Sequence, residues 1–190
     1  MDRRESLRAL GALGAGGFFF PADAVRAQGE AEEARLLRAG ACVVVLRHAQ
    51  TDPGVGDPPE FDIAQCRTQR NLNEPGRAQA RRIGEWFKAR QLTPRAVQSS
   101  AWCRCKDTAD LAFGRHTVLP ALSSTFGSGK AQPGQTQALR ALLATVPAGQ
   151  FEVWVTHQVN ITALTGENPS MGDAIIVGSG GRTLLRTRFE

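Results

Sequence analysis

Ala41-Cys42-Val43-Val44-Val45-Leu46-Arg47-His48 is the stretch that decides how this sequence folds. Its first six residues are apolar without interruption and rich in β-branched side chains, so they offer no polar face to water. Such a run reads as a strand buried on both sides, the kind found in parallel sheets covered by helices. Arg47 and His48 then stand at the carboxyl end of that strand. In open α/β sheets, ligands bind beyond the carboxyl ends of the strands.

The same pattern recurs downstream. Ala96 to Ser100 and Glu152 to Thr156 read as further strands, followed by Arg104 in the first turn of a helix and by His157. Pro75 suits a helix start, and Ala78, Ile83, Trp86 and Phe87 recur at helical spacing to about Arg90. Trp102 to Phe113 and Thr136 to Val146 are predicted helices, and Val118-Leu119 a short third strand. Ile175 to Val177 and Thr183 to Phe189 read as a closing hairpin around Gly180-Gly181. Asp52 to Gln69 is a long aperiodic loop, and Ser123 to Gln135 a Gly/Ser-rich connection expected to be mobile. Alternating strands and helices predict an α/β fold, a three-layer α/β/α sandwich with a mostly parallel central sheet.

A chain of 190 residues suits one domain with one sizeable core. At 42% hydrophobic and 22% charged it is neither disordered nor a multi-span membrane protein. The net charge of +5 comes almost wholly from arginine, the lysines being Lys88, Lys106 and Lys130. A basic balance fits a small anionic partner. No basic cluster interleaved with aromatics appears, so nucleic acid is not an expected partner. Oligomeric state is not readable from the sequence.

The N-terminus reads as an address. Arg3-Arg4, a Gly-diluted apolar stretch from Leu7 through Phe20, Pro21, and Val25-Arg26-Ala27 before Gln28 have the parts of an export signal. The arginine pair favours the bacterial twin-arginine route. Residues 1–27 are thus expected to be a signal, residues 28–190 the functional domain, and the location periplasmic or secreted. The alternative is an amphipathic helix kept in the mature chain. The stretch is too short and interrupted to span a membrane.

Four cysteines, Cys42, Cys66, Cys103 and Cys105, follow that segment. An oxidising compartment permits a disulfide from Cys66 to Cys103 or Cys105. Free buried thiols are the other reading, and the spacing supports no zinc site.

Two imidazoles and two guanidiniums at one sheet edge suit a phosphate dianion. Arg matches phosphate oxygens two at a time and keeps its charge. A neutral imidazole can attack phosphorus and carry the group covalently. Fixed cations stabilise the charge spread over the transferring oxygens, so no metal or cofactor is expected. His116, in a polar connection, is expected at the surface.

Leu46-Arg47-His48-Ala49-Gln50-Thr51 resembles the Arg-His-Gly signature of the histidine phosphatase superfamily, with Ala in place of Gly. Leu72-Asn73-Glu74-Pro75-Gly76-Arg77-Ala78-Gln79-Ala80 is similar to that family's Leu-Thr-x-x-Gly-x-x-Gln-Ala helix start. Val97-Gln98-Ser99-Ser100 with Arg104 and Thr108-Ala109 resembles its Ser-Ser-x-x-x-Arg-x-x-x-Thr-Ala segment, and Val155-Thr156-His157-Gln158 its second-histidine strand. The resemblance implies a phosphoglycerate mutase-like fold and a metal-independent hydrolase of small phosphomonoesters. By that resemblance His48 is the phosphorylated nucleophile, and Arg47, Arg104 and His157 hold the phosphoryl oxygens. Arg70 and Gln158 are further candidate substrate contacts. Many members deliver a proton from a Glu in a loop after the Arg104-type helix, but Leu122 to Gly127 contains no acid. Asp52, four residues beyond His48, is the nearest replacement, ahead of Asp62, Glu74 and Asp173. Two other functions stay open: a non-catalytic phosphate-binding module, and a phosphatase acting on phosphohistidine in proteins.

Overall fold

The structure is a computed structural model that describes residues 32–125 and 133–190. The export-signal reading falls on residues 1–27, outside the described residues, as do positions 126–132 of the Gly/Ser-rich connection.

A first helix, α1 (32–39), leads into β1 (Cys42–Arg47). Then come α2 (Glu74–Ala89), β2 (Ala96–Ser99), α3 (Cys103–Phe113), β3 (Thr117–Val118) and α4 (Pro133–Leu143). The chain closes with β4 (Phe151–Thr156), α5 (Gln158–Thr165), β5 (Asp173–Gly178) and β6 (Thr183–Arg188). The six strands form one sheet in the order β3-β2-β4-β1-β5-β6. β3, β2, β4 and β1 pair in parallel. β5 runs antiparallel to β1 and to β6, so the mostly parallel sheet carries one reversed strand and is mixed.

The apolar run of β1 is continuous because both faces are covered. Val44 and Leu46 enter one core with Ile83, Trp86 and Phe87 of α2, Ala109 of α3 and Leu37 of α1. Val43 and Val45 enter the other with Leu139 and Leu143 of α4 and Ile161 and Leu164 of α5. Burying each such side chain stabilises the fold by about 1.5–3 kcal/mol. The three layers follow from that division.

Pairing register then fixes the functional edge. Arg47 lies opposite Thr156 and Ser99 opposite Val155. The next residue of each strand, His48, His157 and Ser100, therefore emerges at one place. The His48 and Ser100 N–H groups still donate to β4, to Thr156 O at 3.0 Å and Val155 O at 3.0 Å.

One disulfide joins Cys66 and Cys103, while Cys42 and Cys105 are free and buried. It ties the 52–69 loop to the first turn of α3. Among the described residues no helix is long and apolar enough to cross a membrane. Nor does any group of three or more His, Cys, Asp and Glu side chains among them form a metal-binding cluster.

Candidate active site

His48 is buried, and its Nδ1 faces the carbonyl oxygen of Ala49 at 2.8 Å. A carbonyl only accepts, so the network assigns the ring proton to Nδ1 and the lone pair to Nε2. Burial first, then the charges of Arg104, Arg47 and Arg70, push the His48 pKa down to about 3. The imidazole is therefore neutral, which is the form able to attack.

The segment after His48 is held from three directions by residues of the sequence motifs. Ala49 N–H donates to Thr108 Oγ1 at 3.0 Å, and that hydroxyl donates to Arg104 O at 2.7 Å. Gln50 N–H donates to Gln79 Oε1 at 3.0 Å, while Gln79 Nε2 donates to Met171 O at 3.2 Å. Asn73 caps α2 by accepting from Gly76 N–H at 2.9 Å. A Cβ at Gly76 would lie 1.9 Å from the Gln50 carbonyl oxygen, so only glycine lets α2 approach this closely. Ala49 needs no glycine: its φ is not positive, and its methyl packs with Leu72 and Ala80.

His157 occupies the position just before α5, with its ring centroid 5.5 Å from that of His48 and edge-on to it. Its Nε2 lies 2.8 Å from Ser100 Oγ, which also accepts from Trp102 N–H at 3.3 Å. With the Ser100 hydroxyl as donor to Nε2, the ring proton stands on Nδ1. The Cys105 thiol flanks the same Nε2 at 3.5 Å, its pKa pushed up to about 12 by burial. The pKa of His157 is pushed well below its ordinary value, by burial and then by Arg104.

Three guanidiniums surround this pair. Arg47 and Arg70 are both depressed from the usual arginine pKa, by burial first and by repulsion from neighbouring arginines after it. Arg104 is almost wholly buried and lies over the Trp102 ring, 4.6 Å from its centroid. Its Nη1 donates to Asp57 Oδ1 at 2.9 Å and to Arg70 O at 3.3 Å. Arg47 Nη1 donates to Pro169 O at 2.8 Å. The Nε groups of Arg47, Arg70 and Arg104 are all buried without a hydrogen-bond partner among the described residues. Buried donors are normally satisfied. Clustered cations with unsatisfied N–H groups fit an anion with several acceptor oxygens.

The sequence candidates divide accordingly. Arg47, His48, Arg70, Arg104 and His157 come together. Gln158 begins α5 half-buried, and its side chain makes no hydrogen bond with the described residues. Asp52 is exposed and accepts from Asn73 Nδ2 at 3.1 Å. Asp62 organises its own loop, accepting from Ala64 N–H and Gln65 Nε2, and Asp173 pairs with Arg188. His116 is bonded to Asp110 at 2.7 Å, away from the imidazole pair. Sequence reasoning missed Asp57, whose only signal was its place in the loop between the motifs. Phe61 lies 4.5 Å from the Trp102 ring, and Trp102 in turn stands edge-on to His157 at 5.9 Å.

A neutral imidazole with its Nε2 lone pair available, ringed by guanidiniums at the carboxyl edge of an α/β sheet, is an arrangement chemically able to hold an oxyanion and to attack it. The family model described as the histidine phosphatase superfamily (branch 1) matches residues 43–125, which carry Arg47, His48, Arg70 and Arg104. That match spans somewhat under half of the chain, and it supports the histidine phosphatase superfamily and a phosphatase-type enzyme.

No curated protein matches the sequence. Among solved structures, the chain is similar to a protein assigned as the phosphohistidine phosphatase SixA from Agrobacterium tumefaciens. Identity is 20% and the TM-score 0.52, over 77% of this chain and 97% of that one. A SixA structure complexed with tungstate is 18% identical at a TM-score of 0.52, over 77% and 94% of the two chains. A phosphoglycerate mutase from Thermus thermophilus is 18% identical at a TM-score of 0.55, over 78% and 99%. These likenesses concern the fold, which is of the phosphoglycerate mutase-like kind.

Proposed function

We propose that the chain is a phosphomonoester hydrolase that works through a phosphohistidine on His48 and needs no metal. The observation that carries this reading is the His48 ring itself: Nδ1 fixed on Ala49 O, the pKa depressed to about 3, and three arginines around it. Nε2 attacks phosphorus, the ester oxygen leaves, and water then releases phosphate from the ring. Arg47, Arg70, Arg104 and the Nδ1–H of His157 donate to the phosphoryl oxygens as charge builds on them. The substrate proposed is a small extracytoplasmic phosphomonoester. A periplasmic or secreted location is supported by the residue 1–27 pattern and by the Cys66–Cys103 disulfide, since such bonds persist in oxidising compartments.

A second reading, hydrolysis of protein phosphohistidine, draws on the SixA neighbours, nearly the whole of whose length this chain spans. Its imidazole leaving group asks for less acid assistance.

The test is hydrolysis of p-nitrophenyl phosphate in EDTA by wild type and His48→Ala. Turnover in the wild type, lost in the variant and inhibited by vanadate, is expected. A folded wild type with no turnover, or a variant that retains it, refutes the reading.

A further inference from the structure

Proton delivery has no Glu in the expected loop, and the structure offers another carboxylate. Asp57 Oδ1 accepts two hydrogen bonds, from Arg104 Nη1 and from Arg70 N–H, both at 2.9 Å. Its side chain is only 16% exposed. Both bonds use Oδ1; Oδ2 has no partner among the described residues, yet it is not one of the polar atoms sealed from solvent. The carboxyl group is therefore anchored by one oxygen with the other left to carry a proton. Asp52 lacks this setting, because it is exposed and braces Asn73.

A phosphoryl dianion held by Arg104 would share that guanidinium with Asp57. The dianion sets a like charge against Asp57, which in the complex disfavours a second full negative charge there. We propose that Asp57 is the general acid and base of this site, acting on the oxygen that leaves and on the water that follows. This rests on the phosphohistidine reading above. As His48 Nε2 bonds to phosphorus, the P–O ester bond breaks and its electron pair stays on oxygen. The Asp57 Oδ2 proton passes to that oxygen and the alcohol departs. The carboxylate next takes a proton from water as its oxygen bonds to phosphorus. The P–N bond then breaks, His48 regains its lone pair, and phosphate leaves.

General acid assistance is worth roughly 10²–10⁴ in rate when the leaving group is a poor one. The test compares Asp57→Asn with wild type on p-nitrophenyl phosphate and on glycerol phosphate, beside His48→Ala. Asparagine keeps an acceptor for Arg104 and Arg70, and unfolding midpoints of each variant report that the fold is kept. Expected for Asp57→Asn is a loss of at least about 100-fold in kcat/KM on glycerol phosphate and under about tenfold on p-nitrophenyl phosphate. Asp57→Glu should restore part of the glycerol phosphate activity. Equal losses on both substrates would overturn the proposal and mark Asp57 as a residue that only positions Arg104. Faster turnover with tighter phosphate inhibition would also overturn it, since the carboxylate would then be a competitor of the substrate. In either case, activity abolished in His48→Ala would leave the phosphohistidine reading standing. Activity surviving in His48→Ala would sink that reading first.

Discussion

Replacing Thr108 with valine exchanges one hydroxyl for a methyl of nearly the same volume, so it isolates a single oxygen. That oxygen accepts the Ala49 N–H at 3.0 Å and donates to Arg104 O at 2.7 Å, in a region where Thr108 and Ala49 are both fully buried. In the variant the Ala49 N–H is left buried without a partner, which costs about 1–3 kcal/mol. For a domain of this size that lowers Tm by about 2–12 °C. The effect on activity should exceed what stability explains, because the bond seats the segment whose carbonyl fixes the His48 tautomer. A displacement of about 1 Å at a nucleophile costs on the order of 100-fold in kcat. Thermal unfolding and p-nitrophenyl phosphate kinetics on Thr108→Val and Thr108→Ser check this. Serine keeps the hydroxyl and should stay within about tenfold of wild type. If valine leaves both Tm and kcat unchanged, Thr108 does not seat the loop and the reasoning fails.

Acid should destabilise the protein in a defined window. An unfolded histidine takes up a proton near pH 6.5, whereas folded His48 resists to about pH 3. The unfolded state binds more protons between those limits, so stability rises with pH there and is lost on acidification. At pH 5 His48 alone accounts for about 2 kcal/mol relative to neutral pH, and urea midpoints that stay flat from pH 7.5 to 5 would contradict this. The Cys66–Cys103 bond spans a sequence separation of 37, so its reduction should cost about 4 kcal/mol by loop entropy. Denaturation with and without reductant measures that cost, and coincident curves would refute it. Arg104→Lys removes the planar fork while keeping the charge, and should cut kcat about 10²–10³-fold. Steady-state kinetics on that variant decide the point, a loss under tenfold being the refuting result.

What was legible in the sequence follows what depends on pattern. β1 announced itself because both of its faces are buried, Arg47 because it ends that strand, and His48 and His157 because they stand one step past such strands. The closing hairpin was legible as an antiparallel pair, but not which of its strands runs against β1: the run Asp173–Gly178 is as buried as that of β1, and burial carries no record of strand polarity. Helix α5 escaped because it is only eight residues long and its apolar anchors, Ile161 and Leu164, make less than two turns of pattern. Asp57 escaped for a different reason. It lies in a loop without period, and its meaning comes from partners 13 and 47 residues away. Gly76 and Gln79 were visible as motif letters, but their work, admitting the Gln50 carbonyl and bonding its N–H, needed three dimensions.

The three guanidinium Nε groups buried without partners among the described residues have a consequence for how the protein is handled. An unsatisfied buried donor costs free energy, and so does the crowding of like charges. The cluster is therefore a weak point in the folded state that an oxyanion repairs. Any tetrahedral anion that fits should raise the melting temperature, by an increment that tracks its affinity, about 2.7 kcal/mol at one hundred times Kd. Buffers then become experimental variables: a preparation stored in phosphate is a sturdier object than the same one in an amine buffer. The same linkage turns thermal shift into a search tool, in which a library of phosphate esters is ranked by heat resistance before any turnover is assayed.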